Sequence, residues 1–257
     1  MSGSFSPHLA SYFVNYRPLL LSALLLTSLL PRMGAAQDGP ERRRRYYNSQ
    51  GRPYHRGPVR LTAGLGAGFY NGDLTSSLGN NFPGLSGSLG VLYLLRPHLL
   101  VGTELSAFQI GAKDDLPARN LAFRARNGSG EVFFRYEPFR DEAEFAAPRG
   151  PVAFVKPYLK AGVGLLLYNP KSYNGTARPE ELTSFLPPER NDYPAMAIVA
   201  PVGLGLTFRL SRNLNATAEA AYYFTTTDYL DDVSKRANSS ANDGYARAEL
   251  KVEYAFW

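Results

Sequence analysis

Cysteine is absent from the chain, which excludes a disulfide framework and a thiolate metal site. Histidine is nearly absent. His8, His55 and His98 are scattered, and no Ser–His–acid set or metal-ligand spacing can be built around them. The apolar run Pro18–Leu30 falls short of the roughly 20 residues that a membrane-crossing helix needs. Net charge is missing from most of the chain as well. The formal excess of +6 is carried by Arg17, Arg32 and the arginines of residues 37–58, and the part from Val59 to Trp257 is neutral. A nucleic-acid-binding fold keeps its positive excess in the folded part, so nucleic acid is excluded as a partner.

What is present comes in three parts. Arg17, the apolar run Pro18–Leu30 and Gly34-Ala35-Ala36 have the order of a secretory signal peptide, residues 1–36, cut after Ala36. Residues 37–58 are rich in Gly, Pro, Arg and Asn without periodicity and read as a flexible basic linker. Its Arg42–Arg45 run is a solvated tether in the simplest reading. The remainder, 59–257, holds most of the 24 Gly, 17 Tyr and 15 Phe, a composition that favours strands.

Within 59–257 apolar and polar positions alternate with period two. The closing stretch is the clearest case. Ala246, Ala248, Leu250, Val252, Tyr254 and Phe256 share one face, and Arg247, Glu249, Lys251 and Glu253 share the other. The same pattern recurs over Arg60–Tyr70, Leu85–Leu95, Leu100–Gln109, Leu159–Tyr168, Ala197–Arg209 and Leu214–Phe224. The stretch Leu121–Tyr136 reads either as one long strand kinked at Asn127-Gly128-Ser129-Gly130 or as two short pieces. About eight strands result, the number at which side chains just fill a barrel. Links at Asn71, Gly111, Asn169 and Thr226 are long, whereas those at Arg96 and Leu210 are short. The link Glu137–Pro151 is a long one on the short side.

Alternation alone does not say which face is inside, since a lipocalin-like barrel puts its apolar face inward. Three features place lipid outside. The polar faces are lined with glycine (Gly64, Gly66, Gly68, Gly90, Gly102, Gly162, Gly164, Gly203, Gly205), which makes room for long side chains opposite. They also carry both signs of charge at mid-strand: Glu104, Lys160, Glu219, Arg247, Glu249 and Lys251. In a narrow lumen these form a paired network. Finally, Tyr70, Tyr93, Phe108, Tyr136, Tyr158, Tyr168, Phe224, Tyr254 and Phe256 lie near strand ends, as interfacial girdles do. The fold expected is an all-β, transmembrane, antiparallel up-and-down barrel with long external loops. No metal, cofactor or catalytic residues are assigned. Asp228, Asp231 and Asp232 could supply oxygen ligands to Ca²⁺, but turn-capping aspartates in a solvated loop are the simpler reading.

Pro157-Tyr158-Leu159-Lys160-Ala161-Gly162-Val163-Gly164 with Tyr168-Asn169-Pro170, Pro201-Val202-Gly203-Leu204-Gly205, and Glu219 followed by Thr227-Asp228-Tyr229-Leu230-Asp231-Asp232-Val233-Ser234 resemble a family of small outer-membrane barrels of Gram-negative bacteria. The family is OmpA/OmpX-like in architecture and largely of unknown function. One branch resembles the PorG-like barrel subunit of the type IX secretion system. The family pattern has a basic residue where this chain has Tyr223. The resemblance implies an outer-membrane location after secretory export and a non-enzymatic, structural or assembly role, as an anchor for a secretion or envelope complex. The implied partners are outer-membrane lipid, the barrel-assembly machinery acting on the C-terminal strand, and a periplasmic protein. A small porin-like or adhesion barrel that passes or binds solutes is the alternative. Asp228, Tyr229, Asp231 and Asp232 are the family-like external loop.

Overall fold

A strand with one apolar and one charged face needs a different solvent on each side, and a row of such strands satisfies both by closing on itself. In the computed structural model, which describes residues 46–47, 53–54, 59–72, 74–96, 98–116, 118–139, 153–180, 183–211, 213–233 and 242–256, eight strands do this. They are β1 (Val59–Asn71), β2 (Gly84–Arg96), β3 (Leu99–Lys113), β4 (Leu121–Tyr136), β5 (Val155–Asn174), β6 (Ala195–Arg209), β7 (Leu214–Thr225) and β8 (Gly244–Phe256). Each pairs antiparallel with its neighbour in sequence, and β8 returns to β1 from Gly244↔Asn71 to Phe256↔Val59. Closure pairs each strand with a neighbour on both sides over most of its length, so that the wall between the paired strands has no open edge. The expected signal peptide lies outside the described residues. Within the expected linker, the backbone of one short antiparallel pair is described, Tyr46–Tyr47 with Pro53–Tyr54.

The apolar face is outside. Leu65, Leu85 and Leu250 are 67%, 72% and 73% exposed, while Arg135, Lys160 and Glu253 in the interior are 2%, 1% and 1% exposed. Only a hydrocarbon surround makes this arrangement favourable, so the barrel is a membrane-spanning one. Glycine makes the interior possible. A Cβ on Gly102 would come within 2.5 Å of Phe133 Cζ and 2.7 Å of Leu92 Cδ2, and one on Gly205 would overlap the Tyr158 ring.

Three expectations are corrected or decided. β4 is one continuous strand, in unbroken register with β3 from Leu99↔Tyr136 to Lys113↔Ala122 through Gly128 and Gly130. Backbone partners on both sides hold the glycines straight. β5 runs on to Asn174, so residues 169–174 are strand and not loop, paired with Leu121–Arg126. Pro170 is tolerated because it lies beyond the last β5–β6 pair, Tyr168↔Ala195, where β5 has become an edge. The aromatic girdle divides. Tyr136, Phe224, Tyr254 and Phe256 are exposed on the outer wall and Tyr93 is half-buried, but Tyr70, Phe108, Tyr158 and Tyr168 are buried inside. Parity is the reason: Tyr70 continues the face of Gly64, Gly66 and Gly68, and Tyr158 and Tyr168 share the face of Lys160, Gly162 and Gly164.

Candidate functional site: the barrel interior

The inward faces stack into three layers. At the end bearing the short β2–β3 and β6–β7 turns, Arg60 of β1, Arg135 of β4, Lys156 of β5 and Glu253 of β8 meet Glu137, which follows β4. Arg135 bridges Glu253 at 2.5 Å and Glu137 at 2.9 Å. Arg60 approaches Glu253 at 3.5 Å, and Lys156 approaches Glu137 at 3.4 Å. Thr217 donates to Glu253 at 2.8 Å, and the Arg135 guanidinium lies 3.7 Å from the centre of the Tyr158 ring. His98 sits in the β2–β3 turn, its Nδ1 2.9 Å from the Glu137 carbonyl oxygen.

The middle layer brings together all six of the charged residues read from the sequence, and adds Glu131. Lys160 lies 2.7 Å from Glu131, 3.0 Å from Glu219 and 3.7 Å from Glu104. Lys251 reaches Glu104, Glu219 and Glu249 at 2.5, 2.8 and 3.4 Å. Arg247 reaches Glu104 at 3.0 Å and Glu249 at 3.3 Å, and it also donates to the Tyr223 hydroxyl. Ser88 donates to Glu249 at 2.7 Å, and Tyr158 donates to Glu219 at 2.6 Å. Every one of these side chains is at least nine-tenths buried, which charges tolerate only when paired and hydrogen-bonded. Between the lower and middle layers is a void of about 10 Å³, bordered by Glu104, Arg135, Glu219, Lys251 and Glu253. That is about the room one water requires.

The third layer, towards the long loops, is aromatic. Tyr245 stacks on Tyr223 with ring centres 4.5 Å apart and on Phe108 at 4.7 Å, and Tyr70 meets Phe123 edge-on at 4.7 Å. Arg247 couples this layer to the one below, its guanidinium 4.7 Å from the Tyr223 ring centre. Tyr223, where the resemblance implies a basic residue, is thus a phenol that accepts from a base supplied by β8.

The loop after β7 closes the top. Asp231 and Asp232 are buried, which overturns the reading of a solvated loop; Asp228 and Tyr229 are half-buried. The Tyr70 hydroxyl lies 2.7 Å from Asp231 and 2.6 Å from Asp243. Asp232 accepts from Tyr193 at 2.9 Å, Ser172 at 3.2 Å and the Glu189 amide at 2.8 Å. Leu74, Leu230 and Val233 are buried beneath. A carboxylate that fastens a loop to strand hydroxyls is held by the fold and not by water. Burial, and next the Asp232 carboxylate, push the Tyr193 phenol above its ordinary value. On the neighbouring loops Asp115 accepts from Thr75 at 2.6 Å and from Asn80 at 2.5 Å, and these bonds hold its carboxyl below the usual range.

Arg60, Glu131, Arg135, Glu137, Lys156 and Glu253 are not in the set read from the sequence. For five of them the signal was parity: Glu131 and Arg135 alternate with outward Val132 and Phe134, Lys156 is in step with Lys160, Arg60 is in step with Thr62, and Glu253 is in step with Glu249 and Lys251. Glu137 lies beyond its strand and carries no such mark.

No protein-family model matches the chain, and no curated protein matches it in sequence. Among solved structures, the chain is similar to Neisserial surface protein A at 16% identity over 77% of this chain and 97% of that one, with a TM-score of 0.46. It is similar to the attachment invasion locus protein Ail of Yersinia pestis at 13% identity, over 78% and 99%, with a TM-score of 0.43. A major outer membrane protein of Thermus thermophilus matches at 14% identity, over 77% and 99%, with a TM-score of 0.43. None of the three is similar enough for a role to be carried across.

Proposed function

We propose that the protein is an outer-membrane barrel of a Gram-negative envelope that acts as a closed anchor and not as a conduit. The observation that carries this reading is the filled lumen. Two layers of paired charges and one of stacked rings occupy the interior, and the void between the charged layers has room for about one water. Charges locked in mutual bridges cannot also line an aqueous path for solutes. In this reading the working surfaces lie at the two ends of the barrel. The signal peptide 1–36 provides export, β8 engages the barrel-assembly machinery, and the basic segment 37–58 offers a periplasmic partner its contact. The secretion or envelope complex to which the family resemblance points is the kind of assembly such an anchor serves, and no catalysis is part of the reading.

Purified protein in planar bilayers should give no stable conductance steps of porin size. Reproducible large steps would refute the closed anchor and favour transport. Deleting residues 37–57 should leave the barrel inserted and weaken recovery of a periplasmic partner from solubilised membranes. Recovery indifferent to the deletion would refute the assigned contact.

A further inference from the structure

Over the loop-side half of the wall, the described outward positions are apolar or uncharged except on one flank. Register lines up β3, β4 and β5 in rows across that flank. Leu105–Gly130–Leu165 and Ala107–Gly128–Leu167 are the last apolar rows. The next three are Gln109–Arg126–Asn169, Gly111–Arg124–Lys171 and Lys113–Ala122–Tyr173. Thus Lys113, Arg124, Arg126 and Lys171 form one contiguous outward cluster at the long-loop end. Arg126 and Lys171 are exposed, and Lys113 and Arg124 are half-buried. Among the described residues none of the four forms an ion pair. The two acids that follow β3 are engaged elsewhere, Asp114 by Arg119 at 2.6 Å and Asp115 by Thr75 and Asn80.

The height of the cluster is informative. Ten residues separate Tyr136 from Arg126 on β4. At about 3.4 Å per residue and a tilt of about 40°, that is about 26 Å of height. The hydrocarbon band of such barrels is about 25 Å, so the cations stand where the headgroup phosphates of the leaflet on the loop side begin. Opposite positions on adjacent strands are about 5 Å apart, and successive outward positions on one strand about 7 Å. Arg124, Arg126 and Lys171 therefore form a triangle of the size that encloses a phosphate. Directly below, Gly128 and Gly130 present no side chains between Leu105 and Ala107 on one side and Leu165 and Leu167 on the other. A Cβ on Gly128 would meet nothing closer than the Ser106 carbonyl oxygen at 3.7 Å, while one on Gly130 would meet Leu105 Cδ2 at 3.2 Å, so the trough is open at Gly128 and walled by Leu105 at Gly130.

We infer that the outer flank of β3–β5 is a binding site for a phosphorylated, multiply acylated lipid of the loop-side leaflet, phosphate on the cations and one acyl chain in the Gly128–Gly130 trough. Phosphate favours Arg through bidentate hydrogen bonds. The site depends on the barrel spanning the membrane and not on a closed lumen, so conductance leaves it untouched.

The full chain, placed in phosphatidylcholine nanodiscs doped with diphosphorylated or dephosphorylated lipid A, can be examined for retained lipid by native mass spectrometry. The diphosphorylated form should be preferred. Each cation near an anionic surface contributes about fivefold, so the triple variant R124Q/R126Q/K171Q should lose roughly a hundredfold. Arg96→Gln, an exposed cation at the opposite end, should change nothing, and heat-modifiable migration reports that each variant is folded. Equal retention of both lipids by the wild type, or equal retention by wild type and triple variant, overturns the inference. So does inorganic phosphate alone displacing the lipid at comparable affinity, which would make this an anion site. Should the triple variant fail to fold, R124K/R126K serves in its place. It keeps the charge, loses the fork, and should bind the lipid several-fold more weakly; unchanged binding overturns the phosphate assignment.

Discussion

Lys160 is the place to test whether charge count governs the interior. In the middle layer the carboxylates of Glu104, Glu131, Glu219 and Glu249 outnumber the cations Lys160, Arg247 and Lys251 by one. Lys160→Met keeps most of the volume and doubles the formal excess. The perturbation removes a cation that lies 2.7 Å from Glu131 and 3.0 Å from Glu219. At an effective dielectric of about 20, a pair at 2.7 Å attracts by about 6 kcal/mol. Desolvation offsets part of that, and removing one partner of a buried pair costs about 3–5 kcal/mol net. Glu131→Gln acts in the opposite sense, because it brings the layer to formal balance, and it should change stability by no more than about 1 kcal/mol. The double variant K160M/E131Q should cost less than the sum of the singles by about 1–3 kcal/mol. Urea titration of the folded fraction in lipid vesicles, read by heat-modifiable migration, measures all three. If Glu131→Gln costs as much as Lys160→Met, or if the pair is additive, the layer is held by packing and the charge argument fails.

Three further outcomes follow from the geometry. Val252 is 50% exposed on the outer wall of β8, midway between Leu250 and Tyr254; Val252→Arg at the lipid midplane should cost about 2–4 kcal/mol and reduce the heat-modifiable band, whereas full assembly would reject the register of β8. Gly205→Leu should impair folding, since its side chain would fall on the Tyr158 ring, and Gly205→Leu/Tyr158→Ala should recover part of the loss on the same gel. The Asp115 carboxyl is lowered by its bonds to Thr75 and Asn80, so its stabilising effect is present above the ordinary value of 3.8 and fades as pH falls through the lower folded value. Pepsin should therefore cut the β1–β2 and β3–β4 loops faster at about pH 2 than at about pH 4, and Asp115→Ala should remove much of the difference; an unchanged ratio would place the clasp elsewhere.

The barrel was legible because lipid outside and charge inside leave a period-two trace that no turn chemistry disturbs. β8 displays it in full, and the same trace gives seven other strands. Boundaries were less legible at Asn169-Pro170, where proline and asparagine signal a loop. The β4 partner pairs with them nonetheless, because β4 itself is long enough to reach Asn174. The loop after β7 was legible as a segment and not as a structure. Asp231 and Asp232 carry the composition of a solvated turn, and their burial depends on Tyr70, Ser172 and Tyr193, which approach from three other parts of the chain.

The aromatic layer shows what parity decides and composition cannot. An aromatic near a strand end suits an interfacial girdle, and nothing in the residue type distinguishes Tyr70 from Tyr254. Their steps do. Tyr254 alternates with Glu253, while Tyr70 is in phase with the glycines of β1, which leave space that a ring must fill. The same rule read from the other side isolates Arg124 and Arg126. They are in phase with Gly128 and Val132, and out of phase with Phe123 and Asn127, so they belong to the outer wall although they carry charge. In a barrel whose interior neutralises cations against glutamates, the bases that parity sends into the membrane interface form no ion pair among the described residues. The phosphates of the surrounding lipid are the anions at that height, and the uncharged loop-side flanks of the other five strands show that such exposure is not a general property of this wall.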